Sequence, residues 1–217
     1  MELKKLDLLT YAKLFLVIIY IVGIVGMVYY RDFFSSLTPF NLIAAAALLF
    51  YFHTPKNKTL FQFIAFVGCA GFAIELYGVQ TGKLFGSYQY GESLGIKING
   101  TPPIIGLNWV VLTYCTAMMV YSLRLSIYLK SFIAAVLMVI FDYFIELYAA
   151  HADFWYWQND QIPLQNFIAW FIFGFFFNLL FFNFKFETKN PFAFFLYAIQ
   201  LLFFIILNLH YHFFHAA

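Results

Sequence analysis

Long apolar runs separated by short polar breaks dominate the chain from Leu8 onward. A bilayer core about 30 Å thick is crossed by roughly 20 helical residues, so each run of that length reads as a membrane-spanning helix. The pattern predicts seven spans: Leu8–Tyr30, Leu37–His53, Thr59–Val79, Ile104–Leu123, Phe132–Ala149, Pro163–Phe184 and Pro191–Tyr211. The second is short, and the fifth carries acids. Pro55, the pair Pro102-Pro103, Pro163 and Pro191 fall at or beside predicted helix starts, where a missing N–H removes no helical hydrogen bond. The first run is too long for the apolar core of a signal peptide and lacks a small-residue cleavage site, so it reads as a retained helix. The expected fold is an all-α polytopic membrane bundle. It forms one transmembrane domain over residues 1–217, with its motif-bearing part at about 72–172.

Composition agrees with that pattern. Charged residues are 10% of the chain and apolar residues 64%, which leaves too little charge to cover a water-facing surface. A net charge of +2 without a basic patch argues against a nucleic-acid partner. Cys69 and Cys115 both sit inside apolar segments and read as small packing residues, not as a disulfide or redox pair.

Charge also predicts an orientation. Lys4, Lys5, Lys13, Lys56, Lys58, Arg124, Lys130, Lys185 and Lys189 fall on one side of the predicted bundle, and Arg31, Lys83 and Lys97 on the other. Nine basic residues against three make the first side cytoplasmic, with the N-terminus inside and the C-terminus outside the cytoplasmic membrane.

Two connections on the far side are long for so tight a chain, running from about Gln80 to Pro103 and from His151 to Ile162. Both are rich in aromatics, and long ordered loops in compact domains usually carry function. The helices that feed them end alike, in Ile74-Glu75-Leu76-Tyr77 and Ile145-Glu146-Leu147-Tyr148. Tyr88 and Tyr90 follow in one loop, and Trp155, Tyr156 and Trp157 in the other. Each loop closes on a proline followed by an Asn and a Trp: Pro103, Asn108 and Trp109 in one, Pro163, Asn166 and Trp170 in the other. The pattern predicts a weakly repeated helix–loop–helix unit around a central site.

Glu75, Asp142 and Glu146 are the candidate chemical groups, because a carboxylate inside a membrane helix is costly unless paired, hydrated or protonated. Asp142 and Glu146 are four residues apart and share one helix face. Two close acids in an apolar site do not both ionise easily, so one keeps a proton that a general acid can use. The alternative is that Glu75 and Glu146 merely mark helix ends at the membrane interface. The aromatic loops read either as interface belts or as electron-rich walls for a cationic intermediate. His151, five residues after Glu146, is a candidate for polar support. His53 and the cluster His210, His212 and His215 have no spacing that suggests a site. No histidine boxes, dinucleotide fingerprint, P-loop or CxxC pair occurs, and the last span lacks a lysine for a retinal Schiff base. No metal site and no cofactor are expected.

The string Glu75, Gly78, Thr81, Gly82, Phe85, Gly86, Tyr88 and Tyr90, followed by Leu94-Gly95, Pro103 and Trp109, resembles the carotenoid biosynthesis membrane proteins of bacteria and archaea. A second string, Asp142, Glu146, Trp155, Trp157, Ile162-Pro163-Leu164, Asn166 and Trp170, is similar to the same family. In the family pattern an Asp followed by Pro often stands at the position of Glu146, whereas Leu147 follows here. That departure keeps the acid and puts the local helix geometry in question.

The resemblance implies a carotenoid 1,2-hydratase type of activity, a cofactor-independent hydro-lyase reaction on the terminal C=C bond of an acyclic carotenoid end group. Asp142 or Glu146 would donate the proton, and the other, or Glu75, would orient or deprotonate water. Tyr88, Tyr90, Trp155 and Trp157 would line the pocket and shield the cation. Asn108 and Asn166 would hold water or the carboxylates, with Trp109 and Trp170 beside them. The implied partners are a lipophilic carotenoid, membrane lipids and other membrane enzymes of the same pathway. Acid-initiated end-group cyclisation or isomerisation begins from the same cation, and a non-catalytic carotenoid or lipid carrier is the third reading.

Overall fold

Every predicted run becomes a helix in the computed structural model, which describes residues 7–184, 186 and 190–215. In chain order the helices are α1 (Leu8–Tyr29), α2 (Arg31–Ser36), α3 (Thr38–Tyr51), α4 (Lys58–Thr81), α5 (Ile104–Val120), α6 (Ile127–Ala149), α7 (Leu164–Asn183) and α8 (Pro191–His215). Their starts are written locally. Asp7 accepts the Thr10 N–H at 2.7 Å, Asn57 that of Leu60 at 3.1 Å and Ser126 that of Leu129 at 3.3 Å, each satisfying an orphan donor of a first turn. α4 stops at Gly82, whose φ of 65° is the left-handed conformation that ends helices.

Five helices, α1, α4, α6, α7 and α8, are long and apolar enough to cross a membrane. The second and fourth predicted spans correspond to the shorter α3 and α5, of 14 and 17 residues. At 1.5 Å per residue these reach about 21 and 25 Å, less than the ~30 Å hydrocarbon core. α5 is the axis of the bundle, packed against α3, α4, α6, α7 and α8. It is buried around much of its circumference, from Trp109 and Val110 to Thr116 and Ala117. α3 starts within one residue of its predicted start, and α2 lies just ahead of it in what reads as a simple connection in the sequence.

Outer helix faces expose large apolar side chains such as Phe15, Ile18, Phe66, Phe176 and Leu202. In water such a surface would aggregate, whereas in lipid it is the expected exterior. Of the residues that predict the orientation, Lys4, Lys5, Lys185 and Lys189 lie outside the described residues, as does the side chain of His215.

Small residues set the spacing of α4 and α5. A Cβ on Gly106 would come within 2.5 Å of the Gly68 carbonyl oxygen, and one on Gly71 within 2.7 Å of the Trp109 Cβ. The two backbones therefore meet directly, as membrane helices do where glycines face each other. The contact brings Trp109 of α5 beside Glu75 of α4.

The aromatic loops are joined in a way the sequence reading left open. They are not independent: β1 (Tyr88–Tyr90) and β2 (Trp155–Trp157) pair as an antiparallel ribbon, with Tyr88 opposite Trp157, Gln89 opposite Tyr156 and Tyr90 opposite Trp155. The long connections between α4 and α5 and between α6 and α7 thus close over the bundle as one unit.

Candidate functional site

Alternation in the ribbon determines what faces the acids. Side chains two apart on a strand share a face, so the Tyr88/Tyr90 and Trp155/Trp157 pairs point the same way. Gln89 and Tyr156 take the opposite face. The four aromatic heads carry polar hydrogens, and these reach carboxylates on the helices below.

Glu75 Oε2 accepts the Tyr88 hydroxyl at 2.5 Å and the Tyr90 hydroxyl at 2.8 Å. Its Oε1 accepts the Trp109 indole N–H at 2.9 Å. Glu146 is held in the same manner: its Oε2 accepts the Trp155 and Trp157 indole N–H groups at 2.9 and 2.7 Å. Asn166, from the first turn of α7, donates both amide hydrogens into the acid pair. One goes to Asp142 Oδ2 at 2.9 Å and the other to Glu146 Oε1 at 3.0 Å. Trp170, one turn further on, stacks on Trp109 with centroids 4.0 Å apart and planes 11° from parallel. Burial and the neighbouring Glu75 carboxylate push the Tyr88 and Tyr90 phenols well above their usual range, so both remain protonated donors.

The three acids are 3%, 1% and 7% exposed at Glu75, Asp142 and Glu146, and no Lys, Arg or His lines the small cavity they share. They are stabilised by neutral donors alone, an arrangement that favours a proton or a developing positive charge near them. That cavity is about 20 Å³. Beside it, sharing Ile105 and Trp155, lies a largely apolar cavity of about 350 Å³ between α1, α3, α5, α6 and α8. Its volume is in the range of small-molecule sites. Among the described residues no group of three or more His, Cys, Asp and Glu is arranged to hold a metal ion.

Ten of the eleven residues singled out in the sequence thus meet in one network or line its cavity. Asn108 is the exception and lines the larger cavity instead. The tyrosines and tryptophans turn out to act through their O–H and N–H groups on the carboxylates, not only through their ring faces. His151 packs against Tyr211 and Tyr148, with centroids 4.4 and 5.1 Å away, and does not line the carboxylate cavity. Sequence reasoning gave Phe85 only as part of the family string and no site role, and it missed Ile105 in the small cavity and Tyr20, Asn41 and Gln200 in the large one. Asn41 and Gln200 carried a usable signal, since both are uncharged polar residues inside apolar runs.

A further residue holds the ribbon in place. Asp153 Oδ2 accepts the backbone N–H groups of Glu92 and Ser93 at 2.9 and 3.1 Å and the Ser93 hydroxyl at 3.1 Å. Its Oδ1 accepts the Tyr156 hydroxyl at 2.8 Å. Gly91 lies so close that an added Cβ would meet Asp153 Oδ1 at 2.2 Å.

A bundle of apolar helices with a buried carboxylate network under an aromatic ribbon, beside a largely apolar cavity, is consistent with membrane insertion and with a lipophilic ligand. The sequence model of the family described as carotenoid biosynthesis protein matches residues 37–217, and the chain belongs to that family. Its role therefore falls within carotenoid biosynthesis. Among curated proteins and among solved structures, none matches the chain.

Proposed function

We propose that this protein hydrates a terminal C=C bond of an acyclic carotenoid end group. The observation that carries the reading is the Asn166 amide bridging Asp142 and Glu146 at 2.9 and 3.0 Å, in a small cavity that shares Ile105 and Trp155 with the larger apolar one. Asp142 takes one side-chain donor where Glu75 and Glu146 each take three, so the proton of the pair is assigned to Asp142. Asp142 delivers it to the less substituted carbon of the double bond. The π electrons form the new C–H bond and leave a tertiary carbocation, which Glu75 and Glu146 stabilise electrostatically. A water oxygen adds to the cation, and its surplus proton returns to the acid pair. The sum is substrate plus one water, with no redox change.

The ~20 Å³ cavity supports water as the capturing group. About 10–15 Å³ suffices for one water, and this space is lined by polar partners that could hold it. The rings of Trp155, Trp157, Tyr88 and Tyr90 enclose the cation, and Trp109 with Trp170 forms the rigid wall behind Glu75. On this reading the chain is a single transmembrane domain crossing the bilayer seven times. α3 and α5 complete the count inside the bundle, and the N-terminus is cytoplasmic. The two Glu-aromatic-ribbon halves would then be a structural repeat.

The test is expression in cells that accumulate an acyclic carotenoid, followed by mass analysis of the pigments. A product heavier by one water is expected, absent from Asp142→Asn and Glu146→Gln cells that contain the protein at normal levels. A cyclic product of unchanged mass would replace hydration by end-group cyclisation. Unchanged pigment with the intact protein would leave a carrier role.

A further inference from the structure

The large cavity is not uniformly apolar. Tyr20 from α1, Asn41 from α3 and Gln200 from α8 converge on its wall, away from the carboxylates, in a region otherwise formed by residues such as Gly23, Leu42 and Phe203. Tyr20 and Gln200 are 5% and 8% exposed. The Asn41 amide donates to the Tyr20 hydroxyl oxygen at 3.2 Å, and Gln200 is a further hydrogen-bond neighbour of that oxygen. The Tyr20 oxygen therefore accepts from Asn41, and its hydroxyl still carries a hydrogen to donate. Asn41 Oδ1 is buried and has no hydrogen-bond partner among the described residues. A buried amide oxygen left without a donor costs about 1–3 kcal/mol, and three polar side chains from three helices are an expensive way to line a hydrocarbon site.

We propose that Tyr20, Asn41 and Gln200 form a hydroxyl-recognition subsite, so that the lipophilic ligand of this cavity carries an alcohol group. An alcohol matches both vacant functions at once. Its O–H donates to Asn41 Oδ1 while its oxygen accepts from the Tyr20 hydroxyl. An ether or a ketone satisfies only the second, and a hydrocarbon neither. The proposal rests on the reading that the cavity receives the substrate. It deepens that reading: the isoprenoid presented to the acids is already oxygenated at a position remote from the reacting bond, so an oxygen-introducing reaction precedes this one.

The test is direct binding to the purified full-length protein in lipid nanodiscs, using farnesol and farnesyl methyl ether as probes. The two have the same skeleton and differ in whether the oxygen can donate. Farnesol is expected to bind about tenfold tighter, the factor a hydrogen bond of roughly 1.4 kcal/mol supplies. Asn41→Leu should bring the two probes within about twofold while methyl ether binding stays as in the parent protein, which also reports that the variant is folded, whereas Tyr20→Phe should weaken both probes alike and leave their ratio near tenfold. Asn41→Val is the substitute where Asn41→Leu fails that check. Equal binding of the probes by the parent protein, or discrimination that survives in the folded Asn41 variant, overturns the subsite and marks the cluster as interhelical bonding. Because the readout is binding, it separates from catalysis. Discrimination without carotenoid hydration leaves the subsite standing and removes the hydratase reading, and hydration without discrimination does the reverse.

Discussion

Tyr88 and Trp157 sit directly opposite each other across the ribbon, ring centroids 4.9 Å apart, and each gives its polar hydrogen to a different carboxylate. Tyr88 donates to Glu75 on α4 and Trp157 to Glu146 on α6. The ribbon therefore couples two acids that come from helices far apart in sequence. Distortion of either loop shifts the donors of both.

That coupling predicts non-additive losses. Tyr88→Phe and Trp157→Phe each remove one charge-assisted donor, worth about 1.5–3 kcal/mol, and should each slow conversion about 10- to 100-fold. The double variant should fall short of the product of the two losses, because the first already loosens the shared ribbon. Single-turnover rates on one substrate measure the cycle, and strict additivity would separate the two halves.

Asn166 predicts a sharper effect. Asn166→Leu leaves Asp142 without its side-chain donor and Glu146 with one fewer, so conversion should drop by about two orders of magnitude. Asn166→Asp should do worse, since it sets a third acid against the pair in place of a donor. Retention of parent activity by Asn166→Leu would show that the amide does not organise the acids.

The α4–α5 contact can be tested without touching an acid. Gly71→Ala places a methyl where Trp109 Cβ stands 2.7 Å away, so the indole must shift from Glu75. Overpacking of this kind costs about 1–3 kcal/mol. Thermal unfolding in detergent should fall accordingly, with a change in tryptophan emission. Unaltered emission would mean that the helices separate without moving Trp109.

Asp153 gives a pH dependence outside the membrane. Burial by itself pushes its pKa up, but the hydrogen bonds from Tyr156, Glu92 and Ser93 outweigh it and hold the carboxyl below its ordinary value of 3.8. A carboxyl depressed on folding stabilises the fold above its unfolded value and loses that contribution as pH falls through the lower folded value. The parent protein should therefore resist unfolding better than Asp153→Asn near neutral pH, and the difference should shrink below about pH 4. A gap that stays constant to pH 2 would mean that Asp153 acts by shape alone.

Topology is checked by labelling. With a cytoplasmic N-terminus, Lys97→Cys on the ribbon side should react with an impermeant maleimide in intact cells. Arg124→Cys should react only after lysis. The reverse result inverts the orientation.

How much of this was legible beforehand differs from element to element. Apolar runs and prolines located the helices because those signals act within one or two turns. Glu75, Asp142 and Glu146 stood out because an acid in an apolar run is costly wherever the chain folds. The i, i+4 spacing put two of them on one face, and the Tyr-x-Tyr and Trp-x-Trp spacing already contained the alternation that points both pairs one way. What the sequence could not contain is which partner each side chain meets. Pairing Tyr88 with Trp157 joins residues 69 positions apart, and the meeting of Tyr20, Asn41 and Gln200 needs three helices to pack. Local rules carry no information over such separations. α5 became the short central helix, and its neighbours the lipid-facing ones, only because burial is decided by the whole bundle. The chain by itself determined a membrane protein with buried acids. The tertiary structure decided that neutral Tyr, Trp and Asn donors, not cations, would hold them, because only the packed ribbon and helix starts bring those hydrogens within reach.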